Sequence, residues 1–176
     1  MRVIAGRFRS RKLKTLAGLD VRPTPDRLRE ALFNVLAPRI DGAVFLDAYA
    51  GTGAVGIEAL SRGAAHAVLI EKRADALAVL RDNLHTLQLS SSEVTVVRGT
   101  AAALVANYKC HIAFLDPPYE LVKEYAACLD ALEPTGCTLA IAQHESKLQL
   151  EEMYGPFRKT RVLRQGDNAL TLYERA

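Results

Sequence analysis

Asp116-Pro117-Pro118-Tyr119 combines residue types suited to holding a flat, amine-bearing ring. A carboxylate accepts hydrogen bonds from an NH2 group. A phenol ring offers a face on which a base can stack. The prolines fix φ and remove two backbone N–H groups, so the acid and the Pro117 carbonyl are held in one geometry. The preceding apolar run, Ile112-Ala113-Phe114-Leu115, reads as a buried strand and sets the acid at a strand end. Alone, the tetrapeptide fits an ordinary strand-ending turn equally well, and its meaning depends on what lies upstream.

Upstream, Val44-Phe45-Leu46-Asp47 runs into Ala48-Tyr49-Ala50-Gly51-Thr52-Gly53-Ala54-Val55-Gly56. Such glycines let the backbone turn tightly and lie against a ligand at a helix N-terminus. Gly51-x-Gly53-x-x-Gly56 is also the dinucleotide pattern, a weak match by itself. Asp47 separates the cases, because a carboxylate at that strand end welcomes a cationic or amine-bearing ligand and repels a pyrophosphate. Glu71 ends the next strand, where an acid takes ribose hydroxyls in either ligand class. The set favours S-adenosylmethionine over NAD. A capping Asp47 and a solvent-facing Glu71 are the structural alternatives for each residue taken singly. A dehydrogenase would also need a substrate domain, for which too little chain remains.

Strand–helix alternation must position these groups. Strands are predicted at 43–47, 67–71, 94–98, 110–116 and 138–143. Helices are predicted at 54–62, 73–87, about 100–106 and 122–132. Two closing runs, 157–164 and 168–174, flank the hairpin signal Gln165-Gly166-Asp167. The expected fold is α/β and Rossmann-like, a seven-stranded, mostly parallel sheet with helices on both faces and an antiparallel edge. The first and fourth strands flank the topological switch point, where open α/β sheets bind ligands. A cofactor at Asp47 would then face an amine pocket at Asp116, as in-line methyl transfer from sulfonium to nitrogen requires.

Residues 1–40 carry ten Lys/Arg against three acids, whereas the remainder holds thirteen against seventeen. A basic head on a mildly acidic body suggests a polyanionic partner. Residues 2–6 and 11–16 read as a small basic hairpin around Gly6-Arg7-Phe8-Arg9-Ser10. Arg22-Pro23-Thr24-Pro25 reads as a stiff linker, with Thr24 capping a helix whose apolar stripe is Leu28, Ala31, Leu32, Val35 and Leu36. Residues 1–40 are thus expected to form an RNA-docking extension to a domain over 41–176.

With 49% hydrophobic and 24% charged residues, the 176-residue chain has the composition of an ordinary soluble protein. No apolar run approaches a membrane span, and the basic, polar start lacks a signal-peptide pattern. Cys110, Cys128 and Cys137 have no CxxC spacing, which suggests reduced, buried thiols in a cytoplasmic protein without a metal site.

Asp-x-x-x-Gly-x-Gly followed downstream by Asp-Pro-Pro-Tyr resembles the amino-methyltransferases of exocyclic base nitrogens. More narrowly, the chain resembles the RsmD family of 16S ribosomal RNA guanine-N2 methyltransferases. The likeness runs through Arg2-Val-Ile-Ala-Gly6, Arg11-Lys12-Leu13, Arg22-Pro-Thr-Pro-Asp-Arg-Leu-Arg-Glu30-Ala-Leu-Phe-Asn34, Leu46–Gly63, Glu71 and Asp116–Tyr119. The resemblance implies a class I methyltransferase fold, S-adenosylmethionine as donor and S-adenosylhomocysteine as product. It also implies 16S rRNA as substrate, within the small ribosomal subunit or a late assembly intermediate. It assigns Asp47, Tyr49, Gly51 and Gly53, with Glu71, Thr100 and Asp116, to the cofactor. Thr100 stands where relatives carry Asp or Asn near the adenine amine.

For such chemistry Asp116, Pro117 and Tyr119 would be catalytic. The acid and the Pro117 carbonyl would accept the amine's hydrogens while Tyr119 stacks on a flipped base. Tyr119 and Pro118 would contact substrate, and Arg7, Arg9, Arg11, Lys12, Arg22 and Arg27 would grip phosphate, although Arg22 and Arg27 could instead pair with Asp26 or Glu30. Absence of coiled-coil heptads suggests a monomer. Other planar amines, DNA adenine N6 or a protein glutamine, are the runner-up substrates. A non-catalytic RNA-binding assembly factor is the alternative of another class.

Overall fold

Apolar runs bounded by glycine and proline become alternating strands and helices in the computed structural model, which describes residues 1–17 and 24–176. The first helix is α1 (Asp26–Leu36). Then follow β1 (Val44–Asp47), α2 (Ala54–Ser61), β2 (His66–Glu71), α3 (Ala74–Thr86) and β3 (Val94–Arg98). The second half holds α4 (Ala101–Leu104), β4 (Ile112–Leu115), α5 (Lys123–Ala131) and β5 (Leu139–Glu145). It closes with β6 (Met153–Tyr154), β7 (Phe157–Gln165) and β8 (Asn168–Arg175).

One sheet joins them in the order β3-β2-β1-β4-β5-β8-β7-β6. The first five strands in sequence are parallel, and β8 runs antiparallel between β5 and β7. The sheet therefore has eight strands, not seven. The extra one, β6, is two residues long and pairs only with the start of β7, too short to show a period in the sequence. Alternate residues of each strand feed separate cores. Phe45, Leu69 and Phe114 pack with α1, α2 and α3. Leu46, Ile70, Ala113 and Leu115 pack with α5. Strands β1 and β4 are direct neighbours, with Asp47 opposite Phe114, so the expected switch point lies between them. Cys110, Cys128 and Cys137 are buried free thiols.

The basic head forms the expected hairpin in minimal form: Arg2 and Lys12 make an antiparallel bridge, Val3 donates its N–H to the Arg11 carbonyl at 3.0 Å, and Leu13 donates to the Met1 carbonyl at 2.9 Å. The segment between the two arms bonds to α2. Ile4 and Ala5 donate their N–H groups to the Glu58 carboxylate at 2.8 and 3.0 Å. Arg7 donates to the Ser61 carbonyl at 2.8 Å and Phe8 to Ser61 Oγ at 2.9 Å. Gly6 makes this approach possible: its φ is +82°, and a β-carbon there would lie 1.8 Å from the Ser61 carbonyl oxygen. Val3, Phe8 and Leu13 share the buried cluster of α1 and Phe45.

Helix α1 begins with Pro25 at its N-cap and no side-chain cap, so Thr24 does not serve as anticipated. Its buried face also includes Phe33 and Arg29, outside the apolar stripe read from sequence. Arg29 is fully buried and donates to the Arg2 carbonyl at 2.6 Å and to Asp26 at 3.0 Å.

Candidate active site

A cleft of about 420 Å³ opens over the carboxyl ends of the parallel strands. Tyr49 and Gly51 after β1, Glu71 ending β2, and Thr100 with Ala101 after β3 form one side. Asp116, Pro117, Pro118 and Tyr119 after β4 form the other, with Gln143 of β5 beside them. Leu16 and Pro25 bring the N-terminal region to its rim. The two motifs picked out in the sequence, 69 residues apart from Asp47 to Asp116, thus frame one cavity.

The carboxylate of Glu71 is held in place by two backbone amides. Gly51 donates its N–H at 2.8 Å to one oxygen and Arg73 at 2.8 Å to the other. A carboxylate has about four lone-pair sites, so two remain for a diol in the cleft. Gly51 has φ +55°, and a β-carbon there would meet nothing within 4 Å. The loop backbone consequently faces open space where a ligand can lie against it. An apolar wall (Ile70, Ala76, Ala101), a fixed acid and an exposed glycine backbone fit an adenosine moiety.

Two anticipated cofactor contacts sit elsewhere. Asp47 is 1% exposed and does not line the cleft. Burial pushes its carboxyl up to about 7, against the Tyr49 and Gly56 amides, which favour the ionised form, and Glu71 adds to the rise. One of its oxygens has no hydrogen-bond partner among the described residues. Asp47 is therefore a buried support beneath the loop, because the strand carries it into the sheet. Gly53 is also absent from the lining. With φ +90° it starts α2, and a β-carbon would lie 2.3 Å from Leu80 Cδ1, so its smallness serves packing.

The sign of the Asp47 effect follows from linkage. Its folded carboxyl holds a proton to about 7, whereas the unfolded one releases it near 3.8. Its stabilising share is complete below pH 4 and is lost as pH rises to 7, a swing of about 4 kcal/mol. Urea unfolding at pH 5 and pH 8 should show wild type losing stability relative to Asp47→Asn. Parallel pH dependences would contradict the assignment.

Tyr49 lines the cleft with its hydroxyl turned to α5, donating to Glu124 Oε2 at 2.6 Å and lying 3.2 Å from Cys128 Sγ. Burial, with these two neighbours, raises its phenol well above the usual tyrosine range, so Tyr49 is neutral and structural in its polar end.

Comparisons with known proteins give the family and the fold. The family model described as Conserved hypothetical protein 95 matches residues 1–174. "Putative rRNA methyltransferase YlbH" of Bacillus subtilis is 35% identical over 99% of both chains. "Ribosomal RNA small subunit methyltransferase D" of Escherichia coli is 45% identical over 68% of this chain and 60% of its own length. The solved structure of "Putative methyltransferase yhhF from Escherichia coli" is 37% identical, with a TM-score of 0.84 over 99% of this chain and 97% of that one. The chain belongs to the RsmD family. Its fold is that of the class I methyltransferases.

For this RsmD-family chain, Tyr119 has a partner that the sequence did not signal. Its hydroxyl donates to Asn168 Oδ1 at 2.6 Å, and Asn168 is 6% exposed at the start of β8. A residue 49 positions away thus helps orient the proposed stacking ring, and only the return of β8 beside β5 brings it there. Tyr119→Phe should change turnover little but cost about 1–2 kcal/mol of stability, because buried Asn168 loses its donor. Tyr119→Ala should depress turnover strongly, and a denaturation curve beside an initial-rate assay separates the two effects. His144, a weaker candidate, is buried in β5 and engaged by Thr171 Oγ1 at 2.7 Å and the Glu145 carbonyl at 2.7 Å. Burial lowers its basicity, and it does not line the cleft.

The basic residues are dispersed. Arg7 pairs with Glu93 at 2.7 Å, Lys14 with Asp82 at 2.9 Å, and Arg11 reaches the Thr86 carbonyl at 3.4 Å. Arg9, Lys12 and Arg27 are exposed. Arg22 lies outside the described residues. Asn83, 2% exposed on α3, joins this strip to the cofactor loop: it accepts the Lys14 N–H at 2.8 Å and donates to the Thr52 carbonyl at 3.0 Å.

Proposed function

We propose that the protein methylates the exocyclic N2 amine of a guanine in small-subunit (16S) ribosomal RNA, using S-adenosylmethionine. The observation that carries this reading is a single cleft holding the amide-pinned Glu71 on one side and Asp116 with Tyr119 on the other. The names of the relatives, an rRNA methyltransferase of Bacillus subtilis and a small-subunit rRNA methyltransferase of Escherichia coli, support the rRNA part.

Glu71 would take the ribose hydroxyls, with Gly51, Tyr49 and Thr100 against the nucleoside. Bound there, S-adenosylmethionine would supply its sulfonium methyl carbon as electrophile, the S–CH3 bond breaking with its electron pair left on sulfur to give S-adenosylhomocysteine. The guanine N2 lone pair is delocalised into its ring and is a poor nucleophile. The Asp116 carboxylate and the Pro117 carbonyl would accept its two hydrogens, turn the lone pair out of conjugation, and leave Asp116 to take the proton as the new N–C bond forms. Tyr119 would stack on the extruded base and Pro118 would border it, extrusion costing a few kcal/mol.

Residues 1–40 would serve as the RNA-docking extension, with Arg7, Arg9, Arg11, Lys12 and Arg27 on phosphate. The Arg7–Glu93 pair is half-exposed, so a phosphate can exchange for the carboxylate. Five such contacts give a log–log salt slope of roughly −3.5 for subunit binding. A slope near zero would remove the docking role. The substrate within a small subunit or its late assembly intermediate would place the enzyme in the cytoplasm.

The functional test supplies labelled S-adenosylmethionine with unmethylated small subunits, naked rRNA and DNA side by side, then digests the product to nucleosides. Label in N2-methylguanosine from subunits is expected. Label in DNA, or none in any substrate, would overturn the reading.

A further inference from the structure

Gln143 lines the cleft beside Asp116, and its side chain carries a buried, unused hydrogen-bond acceptor. It is 4% exposed and lines the cavity, yet its Oε1 has no partner among the described residues. A buried acceptor left unpaired is costly, so its retention at a ligand cleft points to a ligand donor. Its position is fixed on both sides. The β4–β5 register pairs Leu115 with Ala142, which makes Gln143 the next cross-strand neighbour of Asp116. Tyr125 donates its hydroxyl to the Gln143 carbonyl at 2.7 Å, anchoring the strand at that residue.

We propose that Gln143 is the residue that selects guanine, its Oε1 accepting the ring N1–H while Asp116 and the Pro117 carbonyl hold the N2 amine. This rests on the methyl-acceptor reading above and deepens it. In guanine the ring atom beside the reacting amine on the Watson–Crick edge is N1–H, a donor. In adenine the atom beside N6 is N1, an acceptor, which would face Oε1 with two lone pairs and no proton. With Oε1 turned to the ring the site favours guanine, and an adenine N1 would need the amide turned over so that Nε2 donates, whereas Asp116 alone accepts an amine hydrogen from either base.

The test uses the full chain with unmethylated small subunits and compares wild type, Gln143→Met and Gln143→Glu. Initial rates, nucleoside analysis, cofactor binding by calorimetry and thermal melting are all read. Gln143→Met keeps the side chain's length and loses the acceptor. It should lower kcat/KM roughly 10- to 100-fold, with cofactor affinity and melting temperature close to wild type. Gln143→Glu keeps an acceptor at the same reach and should recover most of that loss. Gln143→Met within threefold of wild type would overturn the assignment. So would a Gln143→Glu variant that folds and binds cofactor but is as slow as Gln143→Met. If wild type makes no N2-methylguanosine, the functional reading itself falls, a result separable from either of these.

Discussion

Asp116→Ala is expected to lower methyl transfer to subunits by roughly 1,000-fold while leaving cofactor affinity within a few-fold of wild type. Asp116 lines the cleft at the end of β4, next to the strand that feeds the glycine loop. The Glu71 carboxylate and the Gly51 backbone, the groups fitted to the nucleoside, are built by β1 and β2 and do not depend on it. In the proposed mechanism, alanine would remove both the acceptor that turns the N2 lone pair outward and the base that takes its proton. Asn at the same position keeps an acceptor oxygen without the base, so it should fall between, about tenfold above alanine in rate on the scale of general-base effects, about 100- to 10,000-fold in all. Single-turnover transfer of a labelled methyl group, with calorimetry on the cofactor, reads both quantities. An Asp116→Ala enzyme with unchanged turnover would remove the acceptor pocket from this end of the cleft.

Much of this geometry was legible because it depends on local rules. A buried apolar run followed by Asp116 or Asp47 has to end at the carboxyl edge of a parallel strand, and right-handed crossovers leave few orders for the strands. The pairing of β1 with β4 follows from those rules. Contacts made by tertiary return were not legible. Asn168 reaches Tyr119 because β8 inserts between β5 and β7, and Gln143 becomes Asp116's neighbour through the β4–β5 register. Neither position differs locally from an ordinary polar strand residue. The basic head was legible in part. Short alternating runs around Gly6 suggested strand pairing, and the two arms do pair, but the bonds of Ile4, Ala5 and Phe8 to Glu58 and Ser61 on α2 had no local signal. Arg29 gave no local sign of burial either: on α1 it is fully buried and donates to the Arg2 carbonyl of the head.

Glu58→Ala is expected to destabilise the fold by about 3–5 kcal/mol, a large share of the stability of an ordinary domain. Glu58 is 0% exposed. One oxygen accepts the Ile4 N–H at 2.8 Å, and the other accepts the Ala5 N–H at 3.0 Å and Arg62 Nε at 2.8 Å. Its charge also offsets the desolvation that lowers the basicity of Arg29. Alanine would orphan two amides and leave two mostly buried guanidinium groups short of a counter-charge. Glu58→Gln retains one carbonyl acceptor without the charge and should cost less. Gly6→Ala offers an independent check on the same junction, since its β-carbon meets the Ser61 backbone rather than a movable side chain. Urea denaturation measures the cost of each. At temperatures where Glu58→Gln remains folded, the head should be looser on α2, raising KM for subunits more than it weakens cofactor binding. A Glu58→Ala loss below 1 kcal/mol would mean that the head is held by its bonds to Ser61 and Asn83 and by the apolar contacts of Val3, Phe8 and Leu13, and the carboxylate would then have no part in the proposed presentation of the basic face to RNA.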